Sequence, residues 1–148
     1  MPHALATIGY QSLTLPQLIQ ILKEHRIDTL VDVRAVANSR RPGFGKTKLS
    51  AGLEEAGIHY LHLRGLGTPA SGRAAARRGD HAAMRAVFMR HFRTAEAQDD
   101  LAELTRLTQG RQRLCLLCLE ADPTHCHRRF IADAIHETTG IRIEHLET

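Results

Sequence analysis

Apolar and polar positions along the chain follow two rhythms. Five short apolar runs have the length of strands: residues 4–9 (ALATIG), 29–33 (TLVDV), 58–63 (IHYLHL), 114–119 (LCLLCL) and 141–146 (IRIEHL). Between them the apolar positions recur at helical spacing. Thr14 is a cap-forming residue with Pro16 just inside the first turn, and Leu15, Leu18, Ile19 and Leu22 then share one helix face. A second helix is expected from about Thr47 to Gly57, whose glycine suits a helix terminus. Residues 64–80 carry four glycines and a proline and read as a loop. Two helices follow. Residues 81–92 place Met84, Val87, Phe88, His91 and Phe92 on one stripe, and residues 95–108 end before Gly110. Asp122-Pro123-Thr124 opens a last helix that carries Phe130, Ile131, Ala134 and Ile135 and closes at Gly140.

This alternation predicts a single α/β domain over residues 1–148. Its three layers are a mostly parallel five-stranded sheet with helices on both faces. The run at 114–119 is apolar at nearly every position, as a central strand covered on both sides must be. The arrangement is Rossmann-like but lacks a dinucleotide fingerprint: Gly9-Tyr10-Gln11-Ser12 follows the first strand where a glycine-rich turn would stand. No dinucleotide cofactor is therefore expected. In sheets of this kind ligands bind beyond the carboxyl ends of the strands. Polar groups cluster at those ends: Tyr10, then Asp32 and Arg34, then His62 and Arg64, then Cys118 and Glu120.

Composition narrows the class. Of 148 residues, 43% are hydrophobic and 24% charged, too apolar for a disordered chain. No apolar run reaches membrane-spanning length, the first residues read as a lead into a strand and not as a signal peptide, and three cysteines form no disulfide framework. A reduced, cytoplasmic chain is the expectation. The net charge of +4 is unevenly spread: residues 34–90 hold eleven Lys and Arg against three acids, and residues 95–148 hold six against ten. That asymmetry favours an anionic partner, a small molecule or nucleic acid, near the middle segment. The alternative is a solvated arginine-rich surface.

The densest chemistry lies in residues 118–128 (CLEADPTHCHR). Cys126 is expected in the first turn of its helix, where unpaired N–H groups favour a thiolate, or else as a small packing residue. Cys118 ends a strand, where the nucleophilic cysteines of rhodanese-type and phosphatase-type enzymes sit. The loop that follows it, with Glu120, Asp122 and Pro123, is a poor anion cradle and argues against that chemistry. Cys118, His125, Cys126 and His127 make a transition metal such as zinc a candidate cofactor, though the spacing fits no standard zinc pattern. Adjacent Cys126 and His127 on a helix diverge by about 100° and are not expected to share one ion. His127 aligns with Ile131, Ala134 and Thr138 and is either a buried, satisfied imidazole or a base. Asp32 and Arg34, two apart, point to one side of the sheet edge and serve either a ligand or an internal ion pair, with Arg128 as the other partner for Asp32. Arg40, Arg41, Phe44, Lys46 and Lys48 form a basic loop, to which Arg64, Arg73, Arg77 and Arg78 add a positive lid.

Three stretches together carry a family resemblance. They are Thr7-Ile8-Gly9-Tyr10, then Val31-Asp32-Val33-Arg34 with Ser39-Arg40-Arg41-Pro42-Gly43-Phe44, then Cys118 to Arg128. In this order and over nearly the whole chain they resemble the DUF488 family (domain of unknown function 488). Its first motif often ends in His where this chain has Tyr10. The resemblance implies a fold and a site but no reaction. The residues themselves suggest two functions. One is a hydrolase or transferase acting on a phosphorylated or nucleotide-like ligand. Tyr10, Arg34, Arg40, Arg41, Phe44, Arg64 and Arg128 would bind that ligand, and Asp32, Cys118, Glu120, Cys126 and His127 would supply nucleophile and acid–base groups. That reading expects Cys126→Ser and Asp32→Asn to leave the fold intact and remove turnover. The other is a non-enzymatic nucleic-acid or nucleotide binding module, or a structural partner domain stitched by its cysteines and histidines.

Overall fold

The computed structural model describes residues 4–148. Their elements are β1 (Leu5–Gly9), α1 (Leu15–Glu24), β2 (Thr29–Asp32), α2 (Lys46–Glu55), β3 (His59–His62), α3 (Ala70–Arg77), α4 (His81–Phe92), α5 (Ala95–Thr108), β4 (Leu114–Cys118), α6 (Arg128–Thr139) and β5 (Ile143–His145). Short 3-10 turns at Arg64–Leu66 and Pro123–His125 precede α3 and α6. Every strand pairing is parallel, in the order β3-β2-β4-β1-β5. The order departs from the Rossmann arrangement, because β4 is inserted between β1 and β2.

Side-chain alternation along β4 builds both cores. Leu114, Leu116 and Cys118 face a cluster with Ala75 of α3, Met84 and Phe88 of α4, Leu104 of α5, and Ile131 and Ile135 of α6. Cys115 and Leu117 face the other way, into a cluster with Leu18 and Leu22 of α1 and Leu49 and Leu53 of α2. Thus α1 and α2 cover one face and α3 to α6 the other. A strand buried on both sides cannot alternate apolar and polar residues, which is why this run is continuous.

Local chemistry sets the element ends. Thr14 and Gln17 form a reciprocal capping box at the start of α1, satisfying two backbone N–H groups that lack helical partners. Gly140 ends α6 in the left-handed conformation (φ 76°) that glycine adopts without a Cβ penalty. Gly9 is required for a different reason. A Cβ there would overlap the carbonyl of Glu120, so only glycine lets the end of β1 lie against the segment leaving β4.

Two expectations need correction. Residues 64–80 are not one loop: the run ASGRAAAR forms α3, since three successive alanines favour helix and Gly72 lets the helix approach Thr68 and Val87. The last helix does not begin at Asp122. Asp122 caps only the 3-10 turn, Cys126 is extended (φ −127°, ψ 143°), and α6 starts at Arg128. No helix among the described residues is long and apolar enough to cross a membrane.

Candidate functional site

Strands β1, β2 and β4 end side by side, with Gly9 level with Cys118 and Asp32 level with Leu117. Beyond them opens a cleft of about 630 Å³. One wall is the loop after β2, from Ala35 to Arg41; the opposite wall is α3 with the start of α4. Between them lie Tyr10 and Gln11 after β1 and the residues after β4, including Glu120 and His125.

Beneath the cleft is a sealed polar network. Asp32 is fully buried and takes the Arg34 guanidinium on both oxygens, from Nε at 2.8 Å and from Nη2 at 2.7 Å. The Arg34 backbone N–H and the Tyr60 hydroxyl also donate to it, at 3.1 and 2.6 Å. The remaining arginine nitrogen, Nη1, donates to the Phe44 carbonyl at 2.7 Å and to the Tyr10 hydroxyl at 3.2 Å. The Tyr10 and Phe44 rings stack at 4.4 Å. Burial, reinforced by the Asp32 carboxylate, holds the Tyr60 phenol above its ordinary range. The network fastens the loop after β2 to β1 and β3 and sets the direction of the wall above it.

The floor is made by Cys118, Cys126 and His127. Their sulfur and nitrogen atoms all lie within 4.8 Å of one another. The two sulfurs are paired as a disulfide, where the sequence suggested a reduced chain with none, yet the Cα atoms are 7.3 Å apart. A relaxed disulfide spans roughly 4.4–6.8 Å between Cα atoms. His127 Nε2 is 2.7 Å from the Val33 carbonyl, which can only accept, so Nε2 carries the proton. Nδ1 then presents its lone pair toward Cys126 Sγ, at 3.8 Å. Burial pushes the His127 pKa down to about 4, partly offset by the Val33 hydrogen bond, so the ring is neutral at ordinary pH. Arg128 is fully buried behind the floor. It donates to Cys118 Sγ at 3.4 Å, to Thr7 Oγ1 at 3.2 Å and to the Glu120 and Ala121 carbonyls. Burial lowers its pKa to about 10, which still leaves it charged at neutral pH.

Cys126 and His127 therefore do share one focus, against the expectation from a helical wheel. The reason is that Cys126 is extended, outside α6, and the two side chains are not separated by a helical step. For the same reason Cys126 is not in the first turn of a helix.

The structure brings Tyr10, Arg34, Arg40, Arg41, Cys118, Glu120, Cys126 and His127 to the cleft. It places four other candidates elsewhere. Asp32 and Phe44 lie beneath it, Arg128 lies behind the floor, and Arg64 points outward beside Glu96 of α5 at 3.8 Å. Of the expected Asp32 ion pairs, the one with Arg34 forms; Arg128 binds the residues around Cys118 instead. Arg73 and Arg77 stand together on the α3 wall, where i,i+4 spacing puts both on one helix face. That signal is visible only once the segment is known to be helical. Val36 and Leu119 are large apolar side chains exposed at the cleft, 56% and 43% accessible, and sequence reasoning did not single them out.

The family model described as "Domain of unknown function DUF488" matches residues 14–135, which includes the Asp32–Arg34 stretch and the junction from Cys118 to Arg128 but not the motif at Thr7 to Tyr10. No curated protein and no solved structure matches the chain.

Proposed function

The chain belongs to the DUF488 family, and from that premise we propose that the cleft binds a phosphate-bearing, nucleotide-like small molecule and acts on it as a hydrolase or transferase. One observation carries the reading: Arg40, Arg41, Arg73 and Arg77 line two walls above a floor of two cysteine sulfurs and a neutral imidazole. Guanidinium groups suit phosphate because their fork bonds two oxygens at once. Arg73 keeps part of its fork free, since one nitrogen donates to the Thr68 carbonyl at 2.9 Å and holds the side chain in place. Glu120 is the acid among the lining residues and stands across from the arginines as an acid–base candidate. Val36 and Leu119 offer apolar surface for the uncharged part of such a ligand. In this assignment Asp32 and Arg34 position the wall and do not touch the ligand.

The nucleic-acid reading draws on the same arginines, but the two aromatic rings nearest them are not available for stacking. Tyr10 and Phe44 are buried against each other, so neither ring is free to take a base.

Isothermal titration of the reduced protein with inorganic phosphate, pyrophosphate and nucleoside mono- and diphosphates tests the proposal. One or more of these should bind saturably, and Arg73→Ala with Arg77→Ala should weaken binding at least tenfold while the melting temperature stays near that of the parent. Absence of binding by all of them at low ionic strength and millimolar ligand refutes it. Binding of single-stranded oligonucleotides alone, with a steep salt dependence, would move the assignment to the binding module.

A further inference from the structure

We propose that Cys118, Cys126 and His127 form a three-ligand site for a divalent, borderline-soft transition metal, zinc above all, with the fourth coordination position facing the cleft. Two thiolates and one imidazole are the donor set zinc accepts, and three protein ligands with an open position is the arrangement of catalytic zinc, where a water or substrate completes the tetrahedron.

Distance supports the assignment. Tetrahedral zinc with sulfur at ~2.3 Å and nitrogen at ~2.0 Å sets its ligand atoms ~3.5–3.8 Å apart. Cys126 Sγ and His127 Nδ1 are 3.8 Å apart already. The site belongs to the dithiol form, reached when a thiol or phosphine reductant supplies two electrons and two protons to the sulfur pair; the two sulfurs then part by side-chain rotation, for which the 7.3 Å between their Cα atoms leaves room.

The surroundings supply a second, independent argument. Metal-bound histidines donate their other N–H to a carbonyl or carboxylate, which fixes the ring and selects the coordinating nitrogen. The bond from His127 Nε2 to Val33 O does so and leaves Nδ1 aimed at the sulfurs. A metal-bound thiolate is steadied by a donor, and the buried Arg128 guanidinium sits 3.4 Å from Cys118 Sγ. Arg128 has no carboxylate partner within ion-pair distance among the described residues, although it is fully buried. A thiolate at Cys118 would place negative charge beside this cation. The two thiolates offset the dication, Arg128 keeps its own positive charge with Glu120 and Asp122 nearby, and both thiol protons leave to solvent when the metal binds. Cys115 takes no part, being fully buried in the opposite core layer.

The inference does not rest on the anion-binding reading. A chain that holds zinc but ignores every phosphate keeps this site and loses that function; the reverse result does the opposite.

The test uses the full chain, purified without chelator and reduced with a phosphine. Elemental analysis, followed by Zn²⁺ titration against a chromogenic zinc indicator, should find about one equivalent per chain. Zinc should shield two of the three cysteine thiols from a thiol reagent. Replacing zinc by Co²⁺ should give sulfur-to-cobalt charge-transfer absorption in the near ultraviolet together with visible bands of tetrahedral intensity. Cys118→Ser and Cys126→Ser should each cut the charge-transfer absorption by about half or remove it, His127→Gln should weaken the metal at least tenfold, and Cys115→Ala should change neither. Circular dichroism checks that each variant folds. The parent protein alone suffices to overturn the proposal: if, fully reduced, it competes for neither Zn²⁺ nor Co²⁺, there is no site. A folded Cys118→Ser variant that keeps the complete cobalt spectrum would overturn it as well.

Discussion

Replacing Asp32 by Asn removes one charge from a pair that solvent barely reaches. Four donors converge on the Asp32 carboxylate: the Arg34 backbone N–H, Arg34 Nε and Nη2, and the Tyr60 hydroxyl. An amide offers one acceptor oxygen, so two of these donors would face an NH₂ group. The Arg34 guanidinium, only 7% accessible, would keep its charge with no counter-ion. Breaking a buried pair from one side costs about 3–5 kcal/mol. For a chain of this size that is a fall of roughly 6–20 °C in melting temperature. The geometry predicts a loss of stability where the sequence suggested that Asp32→Asn leaves the fold intact. Urea denaturation of the parent, Asp32→Asn, Arg34→Met and the double variant makes the measurement. The double variant should cost less than the sum of the singles by about 2 kcal/mol, because it removes both charges together. A single variant within about 1 kcal/mol of the parent, with additive effects in the double, would refute the reasoning and return Asp32 to the list of candidate acid–base groups.

Two further outcomes follow from the same geometry. Gly9→Ala would force a methyl group into the Glu120 carbonyl, a backbone atom that cannot swing aside. It should cost about 2–3 kcal/mol in urea denaturation and disturb the floor at Cys118, whereas a cost below about 0.5 kcal/mol would mean that the two segments separate freely. His145 has its pKa lowered by burial and then by the nearby Arg128 charge, and its Nδ1 meets the Thr7 hydroxyl at 2.5 Å. The unfolded imidazole therefore binds a proton at a pH where the folded one does not. The resulting stability is complete above the ordinary histidine range, about 6.5, and declines as pH falls through it toward the folded value. His145→Gln should flatten the acid limb of a pH–stability profile relative to the parent; an unchanged limb would show that the ring is free to protonate in place.

The sheet was legible in the sequence where burial is two-sided. The run from Leu114 to Cys118 has no polar break because both its faces are covered, which places it inside the sheet and not at an edge. Thr14, Pro16 and Gly140 marked helix ends because capping is local chemistry. Helix α3 was hidden because Gly72 and Gly79 resemble loop punctuation, although one permits close packing and the other follows the helix end. The floor of the site was half legible. Its residues were all named, but the convergence of Cys126 and His127 depends on a 3-10 turn that stops one residue short of Cys126, and no helical periodicity encodes that. The role of Asp32 was open for a different reason. Spacing puts it beside Arg34, but what seals the pair comes from Tyr60 and Phe44, on elements that only the tertiary fold brings together.

The insertion of β4 between β1 and β2 also governs the order of assembly. Until Leu114–Cys118 is in place, β1 and β2 have no common neighbour, and the pairings available to the earlier chain reach only from β2 to β3. The sheet is therefore closed by non-local contacts made late in the chain, the kind of topology that folds slowly and cooperatively. During synthesis, a nascent chain that ends short of β4 exposes a strand-wide gap. The residue that fills the far end of that gap is Cys118, so the step that completes the sheet also delivers the first thiol to the floor of the cleft.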